Sequence, residues 1–108
     1  MKTIIDKNIK IKTFLEMGKK NEVQIIDIRE KYEHDLGSIP NAHHIPMDLI
    51  LKSISSLEKS KNVVIFCRSG RRSAAVKYML EKEFKLRNIY CLEGGYESFL
   101  NYQEKEKI

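Results

Sequence analysis

The segment Cys67-Arg68-Ser69-Gly70-Arg71-Arg72-Ser73 holds the residue types and spacing that can do chemistry. A thiol attacks as its thiolate, and cationic neighbours or a helix N-terminus favour that form. Three arginines stand within five residues of Cys67. Gly70 permits a positive φ and a close approach of backbone to a ligand. An apolar run precedes the cysteine and an amphipathic stretch follows it. The segment therefore reads as a loop that leaves a buried strand and enters a helix, whose free N–H groups and dipole favour an anion. These features together predict a thiol held below its free value of about 8.5, and a cradle for an anionic substrate or a persulfide. A thiolate needs no separate general base. A buried cysteine that merely packs is the commoner case, but packing requires neither the glycine nor the arginines. That reading fits Cys91, which lies in an apolar stretch with no cationic neighbour in sequence. The two cysteines are not in a CxxC pair, so a zinc knuckle and a thioredoxin-type motif are both excluded.

The elements that must position Cys67 alternate in type. Val23–Ile28, Val63–Cys67 and Asn88–Leu92 are short apolar runs rich in β-branched residues, suited to parallel strands covered on both faces. Ala42–Ile45 reads as another short strand and Thr3–Ile5 as a weaker one. Helices are predicted over residues 10–18, 48–57, 72–84 and 95–105. In the third of these Val76, Leu80 and Phe84 form a stripe at i, i+4 and i+8, with Ala75 and Met79 alongside. Gly18 is read as the stop of the first. Such alternation implies an open α/β sheet, in which ligands bind beyond the carboxyl ends of the strands. Cys67 is placed at that edge as the last residue of its strand, and Cys91 one residue before the end of its own.

Composition sets the frame. The 108 residues suit one domain, 1–108, with 42% hydrophobic and 32% charged residues. The longest apolar run is far short of the roughly 20 residues of a membrane helix, and the N-terminal stretch offers no signal-peptide core. A cytoplasmic, monomeric protein is expected, without membrane association. The net charge of +5 comes from scattered lysines, most with acidic neighbours. A nucleic-acid partner is not expected, because no basic stripe with interleaved aromatics is present. Adjacent His43 and His44 point to opposite strand faces, and with His34 they are read as solvent or rim histidines. No metal and no cofactor is expected.

The loop CRSGRRS, the upstream Asp27-Ile28-Arg29-Glu30 through Glu33, Gly37-Ser38-Ile39-Pro40-Asn41-Ala42, Ile45-Pro46, and Leu92-Glu93-Gly94-Gly95 together resemble a single-domain rhodanese. The resemblance runs from Val23 to Phe99. It implies an open, mostly parallel five-stranded sheet flanked by helices on both faces. It also implies transfer of a sulfane sulfur from a small anionic donor, thiosulfate or a polysulfide, through a persulfide on Cys67 to a thiol or thioredoxin-like acceptor. By the same resemblance Arg68, Ser69, Gly70, Arg71, Arg72 and Ser73 form the active-site loop. The three arginines are candidates for binding the donor, and Ser73 is a candidate helix N-cap. Asp27, Arg29 and Glu33 shape the site, with Arg29 and Glu33 read as an ion pair. Gly94 and Gly95 turn the chain behind the loop. Ser38, His34 and Phe99 depart from the family pattern, at positions that do not touch the nucleophile in it.

Two other readings share the fold. In a cysteine phosphatase or arsenate reductase, five residues separate cysteine from arginine; here that arginine position is Ser73, and Phe66 stands where such enzymes often carry histidine. A persulfide carrier or partner-binding module would load sulfur yet turn over poorly with small acceptors.

Overall fold

The computed structural model describes residues 7–106. Five strands, β1 (Asn8–Ile9), β2 (Val23–Asp27), β3 (His43–His44), β4 (Asn62–Phe66) and β5 (Ile89–Leu92), form one sheet in the order β1-β5-β4-β2-β3. Every pairing is parallel. Five α-helices accompany them: α1 (Ile11–Lys19), α2 (Lys31–Leu36), α3 (Met47–Ile50), α4 (Arg71–Phe84) and α5 (Gly95–Glu106). The central strand β4 pairs with β2 from Val23↔Asn62 to Asp27↔Phe66, and with β5 through Ile65↔Cys91.

Alternation along β4 divides the core. Val63, Ile65 and Cys67 join Val76 and Leu80 of α4 and Ile50 of α3 on one face. Val64 and Phe66 join Phe14 of α1 and Phe99 of α5 on the other. A strand buried on both faces must be apolar throughout, which is why Val63–Phe66 carries no polar residue.

Several elements differ from the sequence expectation. Thr3–Ile5 lies outside the described residues; the described edge strand is Asn8–Ile9. The predicted helix over 48–57 is two pieces, α3 and a 3₁₀ turn at Ile54–Ser56. Ser53 leaves helical geometry between them, and its hydroxyl donates to the Leu49 carbonyl. Serine competes with helix in this way by bonding the backbone locally. Helix α1 runs past Gly18, and the left-handed residue after it is Asn21. On α4 the buried stripe is Ser73, Val76 and Leu80, while Ala75, Met79 and Phe84 face outward. Helix α2 is an element that the hydrophobic pattern does not predict. It buries no residue and rests on a capping box between Glu30 and Glu33.

One charged residue is fully buried at the carboxyl end of β2. The Asp27 carboxylate accepts two side-chain bonds from Arg29, at 2.9 and 2.8 Å, and one from its backbone N–H at 3.0 Å. His34 Nδ1–H and the Ser38 hydroxyl also donate to it, at 2.9 and 2.8 Å. Burial pushes the Asp27 carboxyl up, but the bonds from Arg29, His34 and Ser38 outweigh it and bring the pKa down to about 2. The Arg29 guanidinium in turn donates to the Gly37 carbonyl and lies 4.2 Å from the Tyr96 ring centroid. This network ties β2, α2, the 37–38 turn and α5 into one unit. Asp27→Asn leaves a buried guanidinium without its counter-charge, and we expect a loss of about 3–5 kcal/mol in urea unfolding. A depressed carboxyl stabilises the fold above its unfolded value of about 3.9 and loses that contribution as pH falls toward 2. The wild type should therefore weaken across that window, and the variant should lack this part of the pH dependence.

Candidate active site

The ladder of β4 ends at Phe66, so Cys67 opens the loop rather than closing the strand. The loop is short because α4 begins at Arg71. Gly70 is the residue that caps the helix, with φ at 113°, a conformation that suits glycine. Ser73, expected as the cap, instead sits inside the first turn and is fully buried. Its position places two groups against the thiol. The Ser73 N–H lies 3.3 Å and the Gly70 N–H 3.1 Å from Cys67 Sγ. Ser73 Oγ lies 3.6 Å from Cys67 Sγ and 3.1 Å from the Gly70 carbonyl, so beside a neutral thiol the hydroxyl accepts from Sγ–H and donates to Gly70, and beside a thiolate its proton can turn to the sulfur.

The loop carbonyls point the other way. Cys67 O accepts from Tyr96 N–H at 2.8 Å, and Arg68 O from Glu97 N–H at 3.1 Å. The first turn of α5 thus finds partners for its free donors in the loop backbone. Gly94 and Gly95 make the approach, with φ of 77° and 61°. A Cβ on Gly95 would stand 2.5 Å from Cys67 O and 2.6 Å from Arg68 O, so the sharp turn read from the two glycines is a steric requirement.

The electrostatics follow from this arrangement. Burial pushes the Cys67 thiol up, but the Ser73 hydroxyl and the N–H groups of Ser73, Gly70 and Ser69 outweigh it, and the pKa is lowered. The sequence reading gave this role to the loop as a whole, arginines included; the principal downward contributions are the hydroxyl and backbone donors. Burial in β5 pushes Cys91 up to about 11, which makes it a poor nucleophile and agrees with its reading as a packed residue.

The arginines divide. Arg72 is held by Glu33 through two bonds of 2.8 and 3.0 Å. The expected Arg29–Glu33 pair does not form, because Asp27 lies closer in space to Arg29 and fills its fork. Arg68 pairs with Glu97 at 3.0 Å in an exposed bridge. Arg71 makes no ion pair among the described residues. Ser69 is exposed in the loop. His43 is exposed as expected, whereas His34 and His44 are partly buried. Their rings stack at 4.5 Å, and His44 Nε2–H donates to the Arg29 carbonyl at 2.7 Å. The departures at His34 and Ser38 therefore serve Asp27. Neither their pairing nor the capping of the loop by Tyr96 and Glu97 has a signal in the sequence beyond the glycine pair.

A family model described as the rhodanese-like domain matches residues 10–102. The chain belongs to the rhodanese-like family. The Bacillus subtilis protein YtwF, whose name gives sulfurtransferase as a provisional activity, is 45% identical over 75 residues, covering 68% of this chain and 70% of that one. A tRNA uridine(34) hydroxylase of Yersinia pestis is 34% identical over 89 residues, 76% of this chain but only 24% of the enzyme. The solved structure of a rhodanese-related protein from Thermoplasma volcanium superposes with a TM-score of 0.79 at 30% identity, covering 89% of this chain and 92% of that one. Family membership supports a sulfurtransferase-type domain, and its named relatives are varied. No helix among the described residues is long and apolar enough to cross a membrane.

The geometry around Sγ gives a direct test. With a depressed thiol, alkylation of Cys67 by iodoacetamide should reach half its maximal rate below the ordinary thiol midpoint of about 8.5. Ser73→Ala removes one donor to the thiolate and should move that midpoint up by roughly one pH unit. An unchanged profile in the variant would show that the hydroxyl does not stabilise the anion.

Proposed function

We propose that this rhodanese-like domain is a sulfurtransferase that carries sulfane sulfur as a persulfide on Cys67. The observation that supports this reading most is the convergence of the Gly70 and Ser73 N–H groups on Sγ. Donors fixed in place before reaction stabilise developing negative charge without reorganisation. The Cys67 thiolate attacks the outer sulfur of thiosulfate or a polysulfide. The donor's S–S bond breaks, and the leaving group, sulfite in the thiosulfate case, departs with the electron pair. The new Cys67 persulfide carries its charge on sulfur in the donor-lined loop. An acceptor thiolate or cyanide then attacks the outer sulfur, and Cys67 leaves as the thiolate. The sulfane sulfur moves without net oxidation, so a metal or redox cofactor has no step to perform. A thiol kept reduced by a cytoplasmic setting suits this cycle.

Arg71 is the loop guanidinium best suited to an anionic donor, since Arg68 and Arg72 already hold carboxylates. Intact mass after incubation with thiosulfate should show one added sulfur atom on wild type and none on Cys67→Ser. Cyanide should remove it as thiocyanate; sulfur on the serine variant would end the proposal. Arg71→Ala should raise KM for thiosulfate about tenfold, in line with loss of one charge-assisted bond. Its kcat should change less, and a fall in kcat alone would instead place Arg71 in the chemical step.

A further inference from the structure

Helix α2 carries the two most exposed large hydrophobic residues among the described ones, Tyr32 at 68% and Leu36 at 86%. They are four apart and share one stripe of the helix. Leu36 is also the i+3 neighbour of Glu33, whose carboxylate is turned toward Arg72 in the first turn of α4. The apolar stripe therefore borders the side of α2 that meets the first turn of α4. The opposite side of the helix is fixed inward, with His34 bound to Asp27 and stacked on His44. Lone exposed hydrophobics are common on protein surfaces; a paired stripe on a helix tied by Glu33 to Arg72, in the helix that follows the Cys67 loop, is a different matter. It offers nothing to thiosulfate, which is small and charged.

Charge narrows the partner. Lys31 and Asp35 neutralise one another on α2, as do Arg68 with Glu97 and Arg72 with Glu33. Arg71 is left as the loop cation with no ion pair among the described residues, in a chain of net charge +5. We propose that the Tyr32–Leu36 stripe, with Arg71, docks a protein sulfur partner whose cysteine is flanked by apolar and acidic side chains. This rests on the sulfurtransferase reading and names the acceptor class for it. The partner's thiolate attacks the outer sulfur of the Cys67 persulfide. The bond from Cys67 Sγ to that sulfur breaks, the partner leaves as a persulfide, and Cys67 regains its thiolate.

The test compares two synthetic acceptors, Glu-Leu-Cys-Leu-Glu and Gln-Ser-Cys-Ser-Gln, with cyanide as the small acceptor. Wild type and a Tyr32→Ser, Leu36→Ser double variant are loaded with sulfur and mixed with each. Intrinsic differences between the peptide thiols cancel when each is compared across the two proteins. Discharge to the acidic apolar peptide should fall about tenfold in the variant, the loss expected of a small contact cluster. Discharge to the neutral peptide and to cyanide should stay within about twofold. A parallel loss with all three acceptors, or no loss with the acidic apolar peptide, would overturn the docking proposal. If neither protein loads sulfur, the sulfurtransferase reading fails separately. The docking surface is then read from attack of the Cys67 thiolate on the same peptides as mixed disulfides with thionitrobenzoate, with release of the coloured thiol. The same tenfold selectivity supports docking in that arm, and its absence overturns it.

Discussion

The peptide units that follow Cys67 serve two sets of partners. The Cys67 and Arg68 carbonyls accept from the first turn of α5, while the Gly70 and Ser73 N–H groups, two and five peptide units further on, turn toward the sulfur. The unit that joins Arg68 to Ser69 serves both, since the two ends of a peptide plane point opposite ways: its carbonyl accepts from Glu97 N–H and its Ser69 N–H favours the Cys67 thiolate. Much of the structure exists to hold that orientation. Strand β4 delivers Cys67 to the sheet edge, Gly70 lets α4 begin at once after it, and Gly95 lets α5 approach to contact distance. The depressed thiol is thus a consequence of the Ser73 hydroxyl and the loop's backbone N–H groups more than of nearby formal charge.

The second organising feature is the Asp27 network. A carboxylate with no exposure is tolerable because five donors from Arg29, His34 and Ser38 meet it. The guanidinium that balances its charge bridges to Gly37 and lies over Tyr96, the residue whose N–H holds the Cys67 carbonyl. The buried ion pair and the sulfur site are joined through α5. A single turn of helix, through Tyr96, touches both.

The strands and the Cys67 loop were legible because their signals are local. A run such as Val63–Phe66 can be satisfied only in a doubly covered sheet. A cysteine at the end of such a run, followed by a glycine and three arginines, carries more charge and more backbone freedom than packing requires. What was not legible involved choices between partners. Arg29 could have paired with Glu33 or Asp27, and Arg72 with any nearby anion; only the fold brings Glu33 across to α4. Ser73 looked like a cap because serine favours that position, yet the positive φ went to Gly70. Helix α2 has no apolar stripe facing the core, so periodicity had nothing to detect. The break at Ser53 shows the opposite failure, in which an apolar pattern continued while a hydroxyl ended the helix.

The sheet also ends abruptly on both sides. Its three longer strands lie at the centre, and each described edge strand, Asn8–Ile9 and His43–His44, is only two residues long. A flat, extended edge is a template on which another chain can add a strand and begin a fibril. An edge of two residues offers such a chain very little ladder to grow on. The parallel order that buries the apolar centre also leaves little ladder to extend at the described margins.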